Sequence, residues 1–208
     1  MKPIAIVLNG ASSSGKTSIA QAIQRLSRTP VLHASLDSFT DMFCWSAISD
    51  PDIQRDCQRF GVSSFHACLP ILASGRFSLV VDHVFEQHAW YEATREALRM
   101  MPIYFVGVRC ALSVLEERER RRADRKVGLS RWQFDRVHER KVYDLEVDTE
   151  SQTADACAAM ILKTAEEKAA KRSFQPGRFA EPNRQTERRE ESRLLRSSRK
   201  TGAPVLKR

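Results

Sequence analysis

Leu8-Asn9-Gly10-Ala11-Ser12-Ser13-Ser14-Gly15-Lys16-Thr17-Ser18 (LNGASSSGKTS) places Gly10, Gly15, Lys16 and Thr17 at the spacing G-x-x-x-x-G-K-[ST]. That spacing has a physical cause. The glycines let the backbone turn successive N–H groups inward around a polyphosphate, and a helix starting at the lysine adds partial positive charge at the same point. The lysine reaches the outer phosphates, and the Thr17 hydroxyl is placed to bind a magnesium ion that bridges them. The run from Gly10 through Ala11, Ser12, Ser13, Ser14, Gly15, Lys16 and Thr17 to Ser18 is therefore the expected nucleotide cradle. Its flanks agree: the apolar run Pro3–Leu8 reads as a buried strand, and Ile19, Ala22, Ile23 and Leu26 follow at helical spacing.

Length and composition limit what surrounds this loop. The chain has 208 residues, 42% of them hydrophobic, enough for one α/β domain with a sizeable core. No apolar run approaches the ~20 residues of a membrane helix, and the N-terminal run is too short for a secretory signal, so a cytoplasmic location is expected. Cys44, Cys57, Cys68, Cys110 and Cys157 are scattered and odd in number, which argues against a disulfide framework or a zinc site. The net charge of +8 is localised: residues 1–166 carry 21 Lys/Arg and 21 Asp/Glu, whereas residues 167–208 carry 13 and 5. A balanced body thus precedes a basic tail, 173–208, whose Pro, Gly and Arg content is that of a disordered segment. Nucleic acid is expected as a partner, if at all, only through that tail.

Further strands are expected at Val31–Leu36, Phe77–Val81, Ile103–Val108 and Tyr143–Val147. The second leads into Asp37 and the third into Asp82-His83. Ligands of open parallel sheets collect at the carboxyl ends of the strands, so Asp37 is a candidate catalytic carboxylate. Asp82 is a candidate for the second magnesium-associated position beside Thr17, or alternatively a helix cap. Residues 40–75 read as two or three helices, with turn signals at Asp50-Pro51 and Gly61. Met42, Phe43, Trp45, Phe60 and Phe65 supply apolar surface for a substrate wall. Leu112–Arg125 reads as an arginine-rich helix broken at Gly128, after which Ser130 and Gln133 suggest a capping box. The resulting hairpin, about 116–141, is expected to be a lid that closes over the transferring phosphate. Among its arginines, Arg120, Arg125 and Arg136 are the expected catalytic ones, beside Lys16.

Taken together, the loop, Asp37-Ser38 after the second strand, the apolar strand ending in Asp82, Gly107-Val108-Arg109-Cys110, the arginine hairpin and Tyr143-Asp144-Leu145-Glu146-Val147-Asp148-Thr149 resemble the chloramphenicol phosphotransferase family over residues 3–163. The resemblance implies an α/β, nucleoside-kinase-like three-layer P-loop fold with a five-stranded parallel sheet and a helical lid, occupying residues 1–172. It also implies transfer of the γ-phosphoryl group of ATP, with Mg2+, to a hydroxyl of a small molecule, Asp37 being the residue that matches the family's proposed base. His83 stands where the family pattern has a second acid, and residues 40–75 offer no clear match. An antibiotic is therefore one acceptor among several, the others being a nucleotide, a sugar or a peptidoglycan precursor. A nucleotide-binding regulatory protein with a nucleic-acid-binding tail is the alternative of a different class.

Overall fold

The structure, a computed structural model, describes residues 3–121 and 128–171. Five strands form one sheet: β1 (Ala5–Asn9), β2 (Val31–Ser35), β3 (Ser78–His83), β4 (Ile103–Arg109) and β5 (Leu145–Asp148). Their order is β2-β3-β1-β4-β5, and every neighbouring pair is parallel. β1 is central and buried on both faces, so it is apolar from Ala5 to Leu8, before the buried Asn9, and sends alternate side chains to opposite layers. Ile4, Ile6 and Leu8 pack with Ile19 and Ile23 of α1 (Lys16–Leu26) and Ile161 of α7 (Ala154–Lys171). Ala5 and Val7 face the other way, onto Phe65 and Leu69 of α3 (Pro51–Ala73), with Leu98 beyond α4 (His88–Ala97). Three layers result, helices on both faces of a parallel sheet.

Several expected elements take different bounds, each for a local reason. β3 runs on through Asp82 and His83, which pair with Leu8 and Asn9 of β1. Asp82 is thus a strand residue and caps no helix, the next one beginning at His88. β5 starts at Leu145 because Asp144 is occupied beside β4: its N–H donates to the Phe105 carbonyl and its carboxylate accepts the Phe105 N–H at 2.9 Å. Between β2 and β3 lie α2 (Leu36–Thr40), a short 3-10 turn at Trp45–Ala47, and α3, a single helix of 23 residues. Asp50 caps α3, its side chain accepting the Asp52 and Ile53 N–H groups, with Pro51 in the first turn where no N–H is needed. Gly61 makes no turn. It lies inside α3 where α2 crosses, and a Cβ there would stand 3.1 Å from Thr40 Cγ2.

The arginine-rich helix α5 spans Leu112–Arg120, and α6 (Leu129–Gln133) starts at Gly128, whose φ of 94° needs a glycine. The capping box is not formed. Glu119 performs the capping instead, accepting the Gly128 N–H at 2.8 Å, the Ser130 N–H at 2.9 Å and the Ser130 hydroxyl at 3.1 Å. Burial opposes the Glu119 charge, yet those donors hold its carboxyl below the ordinary value. The expected tail, 173–208, lies outside the described residues. Among the described residues no helix is long and apolar enough to cross a membrane.

Candidate active site

The phosphate loop connects β1 to α1 at the carboxyl edge of the sheet. Gly15 takes φ 90° directly before Lys16, and Ser13 adopts the left-handed region with φ 63°. Gly10 is required for a different reason: a Cβ there would lie 2.5 Å from the Val108 carbonyl oxygen and 2.7 Å from Ser14 Oγ. The Lys16 ammonium is buried and donates across the loop to the Ala11 carbonyl at 3.0 Å. The buried hydroxyls of Ser12, Ser13 and Ser14 have no hydrogen-bond partner among the described residues. Orphaned donors at the start of a helix fit a polyphosphate, which supplies the missing acceptors.

Thr17 and Asp82 meet as a pair, the Thr17 hydroxyl donating to Asp82 Oδ2 at 2.7 Å. Burial pushes the Asp82 carboxyl up, but the facing His33 ring, the Lys16 charge and the Thr17 hydroxyl outweigh it and hold the group below its ordinary value. His33 Nε2 stands 3.9 Å from Asp82 Oδ2, beyond hydrogen-bond reach. A hydroxyl and an ionised carboxylate side by side suit Mg2+, which keeps most of its oxygen ligands as water and phosphate. Among the described residues no group of three or more His, Cys, Asp or Glu side chains could cage a metal, so the pair fits an ion held jointly with a polyphosphate.

A cleft of about 890 Å³ opens over this loop. Lys16, Thr17 and Asp82 line it together with Asp37 of α2, Asp41 directly after α2, Trp45, Glu86 and Trp90. The structure therefore brings the expected Asp37, Lys16, Thr17 and Asp82 around one space. Of the expected aromatic wall only Trp45 reaches it. Phe65 is core, Phe60 and Met42 are exposed, and Phe43 packs on Trp45 and Phe60.

The arginines differ from expectation. Arg118 and Arg121 line the cleft; Arg120 and Arg136 do not. Arg120 is turned about 200° around the helix from Arg118, and its Nε donates to its own helix at the Glu116 carbonyl. Arg136 lies over the Trp132 ring at 4.8 Å. Arg125 lies outside the described residues. Arg118 donates to the Thr149 carbonyl at 2.8 Å, to Thr149 Oγ1 at 3.2 Å and to the Ser13 carbonyl at 3.4 Å, while Thr149 Oγ1 donates to the Ser14 carbonyl at 2.8 Å. Hairpin, phosphate loop and the residue after β5 are thereby tied together.

Two further residues escaped the sequence reading. Gln133 is buried, with its carbonyl oxygen accepting the Ser12 N–H at 2.6 Å and its amide donating to Glu86 Oε1 at 2.7 Å. Both ends of that amide are assigned by their partners, since a backbone N–H can only donate and a carboxylate accepts. Asn9, at the end of β1, is completely buried. It accepts the Phe85 N–H at 2.8 Å and donates to the Val137 carbonyl at 2.7 Å and the Tyr143 hydroxyl at 2.6 Å. His83 sits beside it with Nε2 2.9 Å from His66 Nε2, and burial holds the His83 ring neutral, its pKa lowered to about 3. A capping-box spacing concealed Gln133, and no local pattern marks Asn9.

Comparison with known proteins adds four findings. A family model described as chloramphenicol phosphotransferase-like protein matches residues 4–166. A Mycobacterium tuberculosis protein provisionally named an O-phosphotransferase is 26% identical over 170 residues, covering 69% of this chain and 74% of its own. Among solved structures, a gluconokinase from Sinorhizobium meliloti superimposes with a TM-score of 0.58 at 22% identity, over 81% of this chain and 94% of its own. The Mycobacterium tuberculosis APS kinase CysC, in complex with AMPPNP and APS, superimposes with a TM-score of 0.59 at 15% identity, over 79% and 98%. At these identities the two structures establish the shared fold, that of P-loop kinases.

Proposed function

The chain belongs to the chloramphenicol phosphotransferase-like family of phosphotransferases, and from that premise we propose that it transfers the γ-phosphoryl group of ATP to a hydroxyl of a small molecule. The observation that carries this reading is the single cleft shared by Lys16, Thr17, Asp82 and Asp37. In the reaction the acceptor oxygen bonds to the γ-phosphorus as the bond to the β-phosphate oxygen breaks, ADP leaves, and the hydroxyl proton passes to the Asp37 carboxylate. Phosphoryl transfer asks little covalent work of a protein, so positioning and charge carry the catalysis.

Each residue has a task that its location supports. Apart from the Ser12 and Ser14 N–H groups, which donate to Gln133 and to the Ala11 carbonyl, the N–H groups of the Gly10–Ser18 loop hold the polyphosphate, and Lys16 meets the charge on its outer oxygens. Thr17 and Asp82 would hold Mg2+, which when bound would supply positive charge to neutralise the phosphates. Asp37 orients the acceptor hydroxyl and takes its proton. Arg118 secures the loop from the hairpin side, and Arg121 faces the same cleft. A hydroxyl-bearing antibiotic is one acceptor class, and the family resemblance motivates testing it. With ATP as donor, the enzyme works in the cytoplasm.

Asp37→Asn and Lys16→Ala test the assignment by single-turnover transfer. Asp37→Asn is expected to keep nucleotide affinity and lose transfer by about 100-fold, the usual scale for removing a general base. Lys16→Ala is expected to lose transfer by orders of magnitude in a folded protein. Normal transfer in a less stable Asp37→Asn protein would show that Asp37 serves only α2.

A further inference from the structure

We infer that the acceptor is a hydroxyl compound carrying a protonated amine, received by Glu86 and Asp41 between the rings of Trp45 and Trp90. The inference rests on the kinase reading above and names its substrate class. Four carboxylates line the cleft: Asp37, Asp41, Asp82 and Glu86. Asp82 is engaged with Thr17, and Asp37 has the acceptor hydroxyl. Asp41 and Glu86 have no task in the transfer itself.

Charge is distributed unevenly along the cleft. Among the described lining residues the cations are Lys16, Arg118 and Arg121, which belong to the phosphate loop and the hairpin. Lys16 and Arg118 are bonded to loop carbonyls, and Arg121 pairs with Glu117. The residues that α2 and its C-terminal end, the Trp45 turn, α3 and the segment after β3 contribute to the cleft include no Lys, Arg or His among the described lining residues. An anionic acceptor would meet carboxylates there with no cation to offset them. A cationic one would find complementary charge, the arrangement by which polar sites select partners.

Glu86 and the tryptophans make this more than a group of acids. Gln133, buried and anchored on the Ser12 N–H, fixes one Glu86 oxygen at 2.7 Å, so the carboxylate is held in a set orientation beside the phosphate loop. Burial raises the Glu86 carboxyl, opposed in part by the Gln133 amide, and a bound ammonium would repay that desolvation. Trp45 donates its indole N–H to the Thr40 carbonyl at 3.0 Å, which satisfies its polar edge and fixes the ring in the wall. Indole faces attract ammonium groups, and carboxylates combined with aromatic rings are a recurrent ammonium site.

The test uses the full chain with ATP and Mg2+, measuring ADP release with acceptors supplied as matched triplets. Serinol, N-acetylserinol and glycerate form one; phenylserinol, N-acetylphenylserinol and phenylglycerate a second; glucosamine, N-acetylglucosamine and gluconate a third. Within the triplet that is turned over, the amine is expected to exceed its N-acetyl form in kcat/KM by about 10- to 100-fold, the scale of a hydrogen bond to a charged group. Glu86→Gln is expected to narrow that ratio by a similar factor. Asp41→Asn, at an exposed position where folding is not at stake, is expected to narrow it in the same direction. Preferential turnover of an N-acetyl or carboxylate form, or a ratio unmoved by both substitutions, would overturn the inference and leave the kinase intact. Failure of every triplet to draw ADP release above the basal rate would overturn this inference, whereas a basal ADP release that Lys16→Ala leaves unchanged would overturn the kinase reading beneath it.

Discussion

Replacing Asn9 with alanine removes three hydrogen bonds from a completely buried point where β1, the segment after β3 and the end of the hairpin meet. Two partners then lack a substitute: the Phe85 N–H and the Val137 carbonyl. The Tyr143 hydroxyl keeps His138 Nδ1 at 2.8 Å. A buried backbone group left unpaired costs about 1–3 kcal/mol, and the small void adds to that. Asn9→Ala should therefore lose about 3–5 kcal/mol, a large fraction of the ~5–15 kcal/mol that holds a domain folded. In urea unfolding the midpoint should fall with the slope unchanged, and the melting temperature should drop by about 10 °C. Asn9→Asp should do no better, because its carboxylate would face the Val137 carbonyl where the amide donated. Phe85 precedes Glu86, so the loosened loop should also raise KM for the acceptor. Stability within about 0.5 kcal/mol of the parent protein would refute the reasoning and place the three bonds among those water replaces at no cost.

Asp82→Asn keeps the hydrogen bond to Thr17 and removes the charge; it should shift the magnesium dependence of turnover to higher concentration while nucleotide binding partly survives, and a superimposable titration would contradict the pairing with Thr17. Arg118→Ala should weaken ATP affinity by about 10-fold, since Arg118 bonds both Ser13 and Thr149, whereas Arg120→Ala should stay within about 2-fold; equal effects would deny the difference in facing. Burial and the Arg109 charge lower the His138 pKa to about 4, so the unfolded chain, near the ordinary value of ~6.5, binds the proton first as pH falls. Stability should accordingly be lost from about pH 6.5 downward towards pH 4, and the loss between pH 6.5 and 5 should be about 1 kcal/mol smaller in His138→Asn, after allowance for the ring's partial exposure. A parallel pair of pH–stability curves would contradict the buried neutral state.

Much of the fold is legible along the chain because its signals are local. The loop from Gly10 to Thr17 couples backbone shape to chemistry within eight residues, and the alternation of Ile4, Ala5, Ile6, Val7 and Leu8 records two buried faces. Asp37 and Asp82 could be placed because parallel strands bring their carboxyl ends to one edge. The arginines could not: a helical period shows which residues share a face, but not which face the molecule turns inward. Arg118 and Arg120 fall on different stripes of the helix in sequence, Arg120 four residues after Glu116 and Arg118 with no matching acid, but only the hairpin's packing shows which stripe meets the cleft.

Residues near one another in the chain, together with strand direction, are thus enough to specify a P-loop α/β kinase chain with its phosphate loop and two candidate carboxylates. Packing of distant segments was needed to show that Asn9 joins three elements, that Glu119 caps α6 and that Gln133 spans Ser12 and Glu86. Ser12 and Gln133 are separated by 121 positions, and Asn9 and Tyr143 by 134. Hydrogen bonds over such distances exist only once the order β2-β3-β1-β4-β5 has brought their elements side by side, and polar side chains carry no mark of the partner that burial will make them seek.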